Sequence, residues 1–196
     1  MPGRAVIFVT RLLRAVWPLC SAAMAHTSES LFRRFDELGI SYTNHTHPPL
    51  FTVADSKALR GQLPGGHCKS LFLKDKKGAL HLLVASEDRT VDLKQLKKRL
   101  GVGNLSFASP DLLFEVLGVR PGAVTPFGLI NDTENRVHVM LDKGMLAHDP
   151  LNYHPLVNDQ TTAVSPQDLV AFIKSCGHAP EVIDLDLDYD PAAPAA

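Results

Sequence analysis

Lys69 is the side chain with the clearest chemical potential in this sequence. It enters a run of consecutive apolar residues, Leu71-Phe72-Leu73, which is mirrored after a polar turn by Leu82-Leu83-Val84. A lysine beside that much apolar surface either snorkels its ammonium to water or is held for a purpose, and this stretch alone leaves both open. His67 and Cys68 precede it. A thiol nucleophile or a metal pair would need them on one side, but adjacent strand residues point to opposite faces. His45 and His47 share a face if their segment is extended, yet no further ligand stands near them in sequence, so they read as loop histidines. Ser70 has no base placed beside it by sequence. The chain lacks Gly-x-x-x-x-Gly-Lys-Ser/Thr, Gly-x-Gly-x-x-Gly, His-Glu-x-x-His and Gly-x-Ser-x-Gly, so nothing indicates a nucleotide-phosphate loop, a zinc protease or a serine-hydrolase elbow. The three cysteines, Cys20, Cys68 and Cys176, are odd in number and far apart. They form neither a disulfide framework nor a zinc spacing, and they favour a reducing, cytoplasmic setting.

The elements that must position these groups follow from caps and periodicity. Ser28 or Thr27 caps a helix carrying Leu31, Phe32, Phe35 and Leu38, which Gly39 stops. A strand runs from Ile40 to His45, and His47-Pro48-Pro49 breaks it. Thr52-Val53-Ala54-Asp55 has the form of a capping box and predicts a helix to about Leu59. Residues 68–85 predict a hairpin apolar on both faces, hence central in a covered sheet. Asp92 caps a helix with Leu93, Leu96 and Leu100 on one side and Lys94, Lys97, Lys98 and Arg99 on the others. Leu105 to Ala108 reads as a strand, and Ser109-Pro110 opens a helix closed by Gly118. Gly122 to Leu129 reads as a loop, Val137 to Asp142 as a strand, Asn152 to Pro155 as a turn and Thr161 to Val164 as a strand. Ser165-Pro166 opens the last helix. Strands and helices alternate irregularly, which predicts an α/β or α+β fold with a mixed sheet rather than a doubly wound one.

The length of 196 residues suits one domain with a sizeable core, and 45% hydrophobic with 21% charged residues is a globular composition. The formal net charge of −1 means that any nucleic-acid contact must come from a local basic patch. Residues 1–25 stand apart, with Arg4, Arg11 and Arg14 among apolar residues and no acid. The run is too short and too charged to span a bilayer. It reads as a signal peptide, a transit segment or an upstream extension before a natural start at Met24. The stretch from Glu181 onward, rich in Asp, Pro and Ala, reads as mostly disordered. The expected organisation is an extension over 1–25, a domain over 26–183 and a tail over 184–196.

Several segments together resemble a known family. They are His47-Pro48-Pro49-Leu50-Phe51-Thr52-Val53, Lys69 with Leu71-Phe72-Leu73-Lys74-Asp75, and Leu117-Gly118-Val119. Pro121-Gly122-Ala123-Val124-Thr125-Pro126-Phe127-Gly128-Leu129, Asn131-Asp132 and His154-Pro155-Leu156-Val157-Asn158 complete the set. From about Thr27 to Ile183 the chain resembles the YbaK-like editing domains, which are similar to the insertion domain of bacterial prolyl-tRNA synthetase. Within them it looks most like the free-standing Ala-tRNA(Pro) deacylases. One departure stands out: that branch is expected to carry asparagine after the key lysine, and here it is Ser70.

The resemblance implies a compact single domain with a mixed, curved sheet surrounded by helices. It implies hydrolysis of a mischarged aminoacyl-tRNA without metal or organic cofactor, contact with the tRNA(Pro) acceptor end, a transient association with prolyl-tRNA synthetase and no membrane. The ester to the terminal ribose is already activated, so the protein needs to place water and stabilise an oxyanion rather than supply a nucleophile. Lys69 can do the electrostatic part, and the backbone from Gly122 to Gly128 can add donors. His154 can move a proton near neutral pH or hold the ribose; equally it reads as a turn histidine before Pro155. Selectivity against proline would be steric. Phe51, Thr52, Val53, Pro126, Phe127 and Leu129 are candidate walls, each also readable as core, and Ser70 and Asn158 are candidate substrate contacts. The helix with Lys94, Lys97, Lys98 and Arg99 is a candidate tRNA surface, as are Lys57 with Arg60 and the Lys74, Lys76, Lys77 hairpin. Two other readings stay open: a deacylase for misattached serine or cysteine, and a non-catalytic tRNA-binding module.

Overall fold

The computed structural model describes residues 25–49 and 63–186. The predicted helix over 52–59, the basic pair Lys57 and Arg60, the candidate walls Phe51, Thr52 and Val53, and the N-terminal segment lie outside the described residues.

Helix α1 spans Ser28–Leu38. Thr27 caps it in a reciprocal capping box with Ser30, and Gly39 ends it in the left-handed conformation at φ 68°. Leu31 and Phe35 form its buried stripe. Strand β1, Tyr42–Thr46, follows. The expected hairpin is present as β2, Gly66–Asp75, and β3, Leu80–Ser86. Its turn is fixed by Asp75, whose buried carboxylate accepts from the backbone N–H groups of Lys77 at 2.8 Å and Ala79 at 2.9 Å. Helix α2 is Leu93–Arg99, β4 is Leu105–Phe107 and helix α3 is Pro110–Leu117. Asp92 and Ser109 cap the two helices. Strand β5, Val137–Asp142, coincides with its predicted range. Strands β6, Leu151–Tyr153, and β7, Gln160–Val164, precede helix α4, Pro166–Ser175, and β8, Glu181–Ile183, closes the chain.

The strands form one mixed sheet in the order β1-β7-β6-β2-β3-β5-β8, with β4 paired to β2 beside that path. The fold is the mixed α/β single domain that the sequence suggests. The β2–β3 hairpin is central and covered on both faces. Phe72, Leu82 and Val84 enter the main core with Phe35, Phe127 and Phe172. Leu73 and Leu83 enter a second cluster with Leu96, Met140 and Ile183. No helix among the described residues is long and apolar enough to cross a membrane.

Three predicted segments differ from what is observed. Asn152 and Tyr153, the first half of the expected turn, belong instead to strand β6: Leu151 and Tyr153 bury inward, and the intervening Asn152 donates to the carbonyls of Pro64 at 2.9 Å and Gly66 at 3.3 Å. The second half of the expected glycine loop is a 3-10 helix, Pro126–Asn131, capped by Thr125. Glu181–Ile183, read as part of the disordered tail, pairs in parallel with β5, because Ile183 completes the second cluster. Beyond it, Asp184 accepts from Lys143 at 3.2 Å through its carboxylate and from Arg99 at 2.7 Å through its backbone carbonyl.

Candidate active site

Strand alternation sorts the candidate residues before any distance is considered. In the β2–β3 pairing Lys69 stands opposite Ala85, and Ser70 opposite the core residue Val84. Lys69 therefore leaves one face of the sheet while Ser70 and Cys68 leave the other, toward the main core. Ser70 does not share the Lys69 face, and its Oγ is buried without a hydrogen-bond partner among the described residues. It is removed as a contact made jointly with Lys69. Cys68 is removed as a nucleophile too: burial, the largest cause, pushes its thiol up to about 11, and its neighbour is the Tyr153 hydroxyl.

The Lys69 ammonium is not snorkelling. It donates to the backbone carbonyl of Glu87 at 2.9 Å and to that of Arg89. Both carbonyls belong to the loop after β3, which is tied back by the Glu87 N–H to the His67 carbonyl at 2.8 Å and by the Arg89 N–H to the Ser86 carbonyl at 3.0 Å. An ammonium has three donors, so among the described residues one remains for a ligand oxygen. The Arg89 guanidinium is in turn held by the Asp186 carboxylate at 2.5 Å.

His154 follows directly on β6, the strand beside β2. Strands β2 and β6 run parallel, with Gly66 opposite Leu151 and His67 opposite Asn152. Extending that register by two residues brings His154 level with Lys69 and onto the same face. The two are also linked through Glu87, whose carbonyl holds Lys69 and whose charge acts on His154. His154 Nδ1 lies 2.8 Å from the Gln160 carbonyl, an acceptor only, so the proton sits on Nδ1 and Nε2 is left as a base. Burial, the largest cause, holds its pKa below the ordinary imidazole value, with the neighbouring His47 adding to that effect. His154 is therefore neutral at physiological pH and able to accept a proton.

His47 is the residue that sequence reasoning set aside and the structure brings in. Its ring centroid lies 6.3 Å from that of His154. Its Nδ1 is 2.8 Å from the Pro48 carbonyl and its Nε2 is 2.9 Å from the Thr161 hydroxyl. The signal was available in the pairing of His45 with His47 across an extended segment, but only β1 beside β7 supplies the partner, since His45 stands opposite Thr161. Among the described residues no group of three His, Cys, Asp or Glu side chains converges to hold a metal ion.

The glycine segment divides. Arg120 to Ala123 is a turn closed by the Ala123 N–H on the Arg120 carbonyl at 3.0 Å, with proline second and Gly122 third at φ 94°. That positive φ is what a Pro-Gly turn of this form demands. The exposed Gly122 faces Asn158, whose Nδ2 would be 3.9 Å from a Cβ placed there. Gly128 lies inside: a Cβ would meet Leu117 Cβ and O at 3.0 Å, so its role is close packing and not catalysis. Phe127 and Leu129 are 0% and 1% exposed, and Phe127 packs edge-on to Phe35, Tyr153 and Phe172. They and the buried Pro126 are core, not walls of an open pocket. On α2, Lys94 and Lys98 are exposed, whereas Arg99 is engaged with the Asp184 carbonyl.

Comparison with known proteins gives the family and the fold. Residues 47–172 match the profile of the aminoacyl-tRNA editing domain family. The chain is 36% identical over 158 residues to the prolyl-tRNA editing protein ProX of Acetoanaerobium sticklandii, covering 80% of this chain and 96% of that protein. It is 36% identical over 181 residues to prolyl-tRNA synthetase associated domain-containing protein 1 of Danio rerio, covering 90% of this chain and 98% of that one. The solved structure of the hypothetical protein APE2540 shares the fold at a TM-score of 0.64 and 20% identity, over 79% of this chain and 97% of that one.

Proposed function

Because the chain belongs to the aminoacyl-tRNA editing domain family, we propose that it is a trans-acting deacylase of mischarged tRNA with Ala-tRNA(Pro) as its substrate. The observation that carries the reading is the Lys69 ammonium held by two backbone carbonyls, and the β2–β6 register, continued two residues, sets His154 on its face. Water attacks the ester carbonyl carbon, and Nε2 of the neutral His154 takes the proton it loses. The third N–H of Lys69 meets the oxyanion that forms. The carbon–oxygen bond to the ribose then breaks, the ribose oxygen takes the proton back from His154 Nε2, and free alanine and uncharged tRNA leave. Exposed backbone around Gly122, with Asn158 beside it, is placed to hold the terminal adenosine.

Acyl selectivity is steric in this reading, with the rigid ring of proline excluded where alanine fits. Ser70 faces the core, so its departure from the family pattern does not argue for seryl or cysteinyl substrates. The source of the substrate is a prolyl-tRNA synthetase, with which the protein associates only transiently. The test is deacylation of Ala-tRNA(Pro), Ser-tRNA and Pro-tRNA(Pro) by the purified chain beside a Lys69→Ala variant. Rapid loss of alanine with proline spared, abolished in the variant, supports the proposal. Hydrolysis no faster than the spontaneous rate would overturn it.

A further inference from the structure

We infer that Phe114 and Arg120 form a stacking site for an unpaired nucleotide of the tRNA 3′ end, immediately beside the Gly122 turn. The inference rests on the deacylase reading above. Helix α3 buries Leu113, Val116 and Leu117, and on its outer face carries a phenylalanine that remains 45% exposed. Phe35, Phe72, Phe127 and Phe172 are by contrast all at or below 4%. Phe114 is also the ring that carries a charge: the Arg120 guanidinium lies over it, 4.9 Å from the centroid.

A guanidinium resting on a ring is a two-sided platform. One face stacks on the aromatic and, among the described residues, the other is left for a second flat group and the N–H edge for a phosphate oxygen. A nucleotide supplies both. The neighbouring acid does not oppose it, because Glu115 is paired to Arg136 at 2.7 Å. The fold fixes the platform as well. Gly118 ends α3 in the left-handed conformation at φ 66°, and the Arg120 carbonyl closes the turn that contains Gly122.

The substrate supplies an occupant for such a site. Its reacting ester sits on the last ribose of a single-stranded end, so an unpaired nucleotide always precedes the reacting one. Arg120 and Gly122 belong to the same four-residue turn, so the platform adjoins the place proposed for the terminal adenosine. Stacking is blind to sequence, which suits an end that is common to tRNAs. Phe107, on β4, is more exposed at 64% but carries no guanidinium among the described residues, and it serves as the control.

Two measurements test the inference in the full chain with Phe114→Leu, Arg120→Ala and Phe107→Ala. The first is the ratio of kcat/KM for the intact charged tRNA to that for aminoacyl-adenosine, which lacks the preceding nucleotide. That ratio should fall about fivefold to a hundredfold in Phe114→Leu and Arg120→Ala, as expected for one lost stack, and stay put in Phe107→Ala. The second is quenching of 2-aminopurine placed just before the terminal adenosine of an uncharged acceptor minihelix. Quenching should occur with the unmodified chain and disappear in the first two variants. An unchanged ratio with unchanged quenching overturns the inference, and so does an equal loss on both substrates, which would mark a structural role. Quenching that depends on Phe114 and Arg120 in a chain that hydrolyses neither substrate would leave the stacking site standing and remove the deacylase reading instead.

Discussion

The Lys69 ammonium and the lysines of α2 are held in opposite ways. The Lys69 ammonium is turned onto backbone, with the carbonyls of Glu87 and Arg89 taking two of its three donors. The lysines of α2 stand on a short helix with Lys94 and Lys98 in water; Lys97 and Lys98, in its last turn, complement the helix C-terminus as any terminal lysine would. Nothing in the residue types separates the two groups. What separates them is preorganisation: a donor fixed before substrate arrives stabilises a developing charge without reordering, whereas a solvated lysine must be immobilised at an entropic cost.

The largest effect should follow from removing the fixed group. Lys69→Ala should lower kcat for Ala-tRNA(Pro) by about a hundredfold to a thousandfold, the usual loss for one oxyanion donor. Thermal unfolding should change little, because the two carbonyls it leaves belong to a loop that retains its own backbone bonds. A rate loss of less than about threefold would make Lys69 a structural clip and erase the contrast with α2.

His154 sharpens the contrast through pH. Its folded pKa is depressed, chiefly by burial, below the ordinary 6.5. The neutral base is therefore fully present above about 6.5, and the rate should decline as pH falls below that value toward the folded pKa. Stability carries the same sign. A depressed folded value means that the unfolded chain binds the proton first, so the contribution is complete above about 6.5 and lost as pH falls through the window beneath it. His81 is depressed likewise, by burial first and then by His138. His154→Gln should cost roughly a hundredfold in rate and remove the acid limb of the profile. His81→Gln should reduce acid destabilisation and leave the acid limb of the rate in place. A limb that survives His154→Gln unchanged would assign the proton transfer elsewhere.

How far the sequence carried the reader depends on the length of each element. Helices with a capping residue and a closing glycine, such as α1 and α3, are visible residue by residue, and the β2–β3 hairpin announces itself by apolar runs on both sides of a turn. Strands β6 and β8 are three residues each, too short for any periodicity, and they exist because Leu151, Tyr153 and Ile183 have a core to enter. The site shows the same limit. Lys69 and His154 carry their chemistry in their type, but Ser70 enters as a substrate contact only through the family pattern at the position after the lysine, and adjacency along a strand is opposition across the sheet. Phe127, Gly128 and Leu129 were grouped with Gly122 by motif, yet the turn ends at Ala123 and the residues after Thr125 coil into the core. His47 needed the partner strand to matter.

A smaller effect should come from the outer support of Lys69. Arg89 offers Lys69 its carbonyl, and its guanidinium is fastened by Asp186, while its Nη2 is buried with no partner among the described residues. Asp186 is 71% exposed, so the pair itself is a weak and screened one. Asp186→Asn should lower kcat by about twofold to fivefold with KM unchanged, and added salt should reproduce much of that loss in the unmodified chain. Asp186→Glu should restore it. A loss that appears in KM alone would place Asp186 on the tRNA surface instead of behind the lysine.

The smallest effect should come from α2 itself. Lys94→Ala and Lys98→Ala together should change KM for the tRNA by less than about twofold and the salt slope by a fraction of one counterion, because neither ammonium is fixed and acidic neighbours share this side of the protein. Asp184 and Asp186 are both bound here, and Arg99 already spends a donor on the Asp184 carbonyl. Arg99→Ala is the informative member of the set. It should lower activity more than the double lysine variant while leaving the salt slope alone, since what it releases is the segment that carries Asp186. A salt slope reduced by about one unit per lysine would instead make α2 a phosphate-binding face. The two basic regions would then differ only in which part of the substrate each one holds.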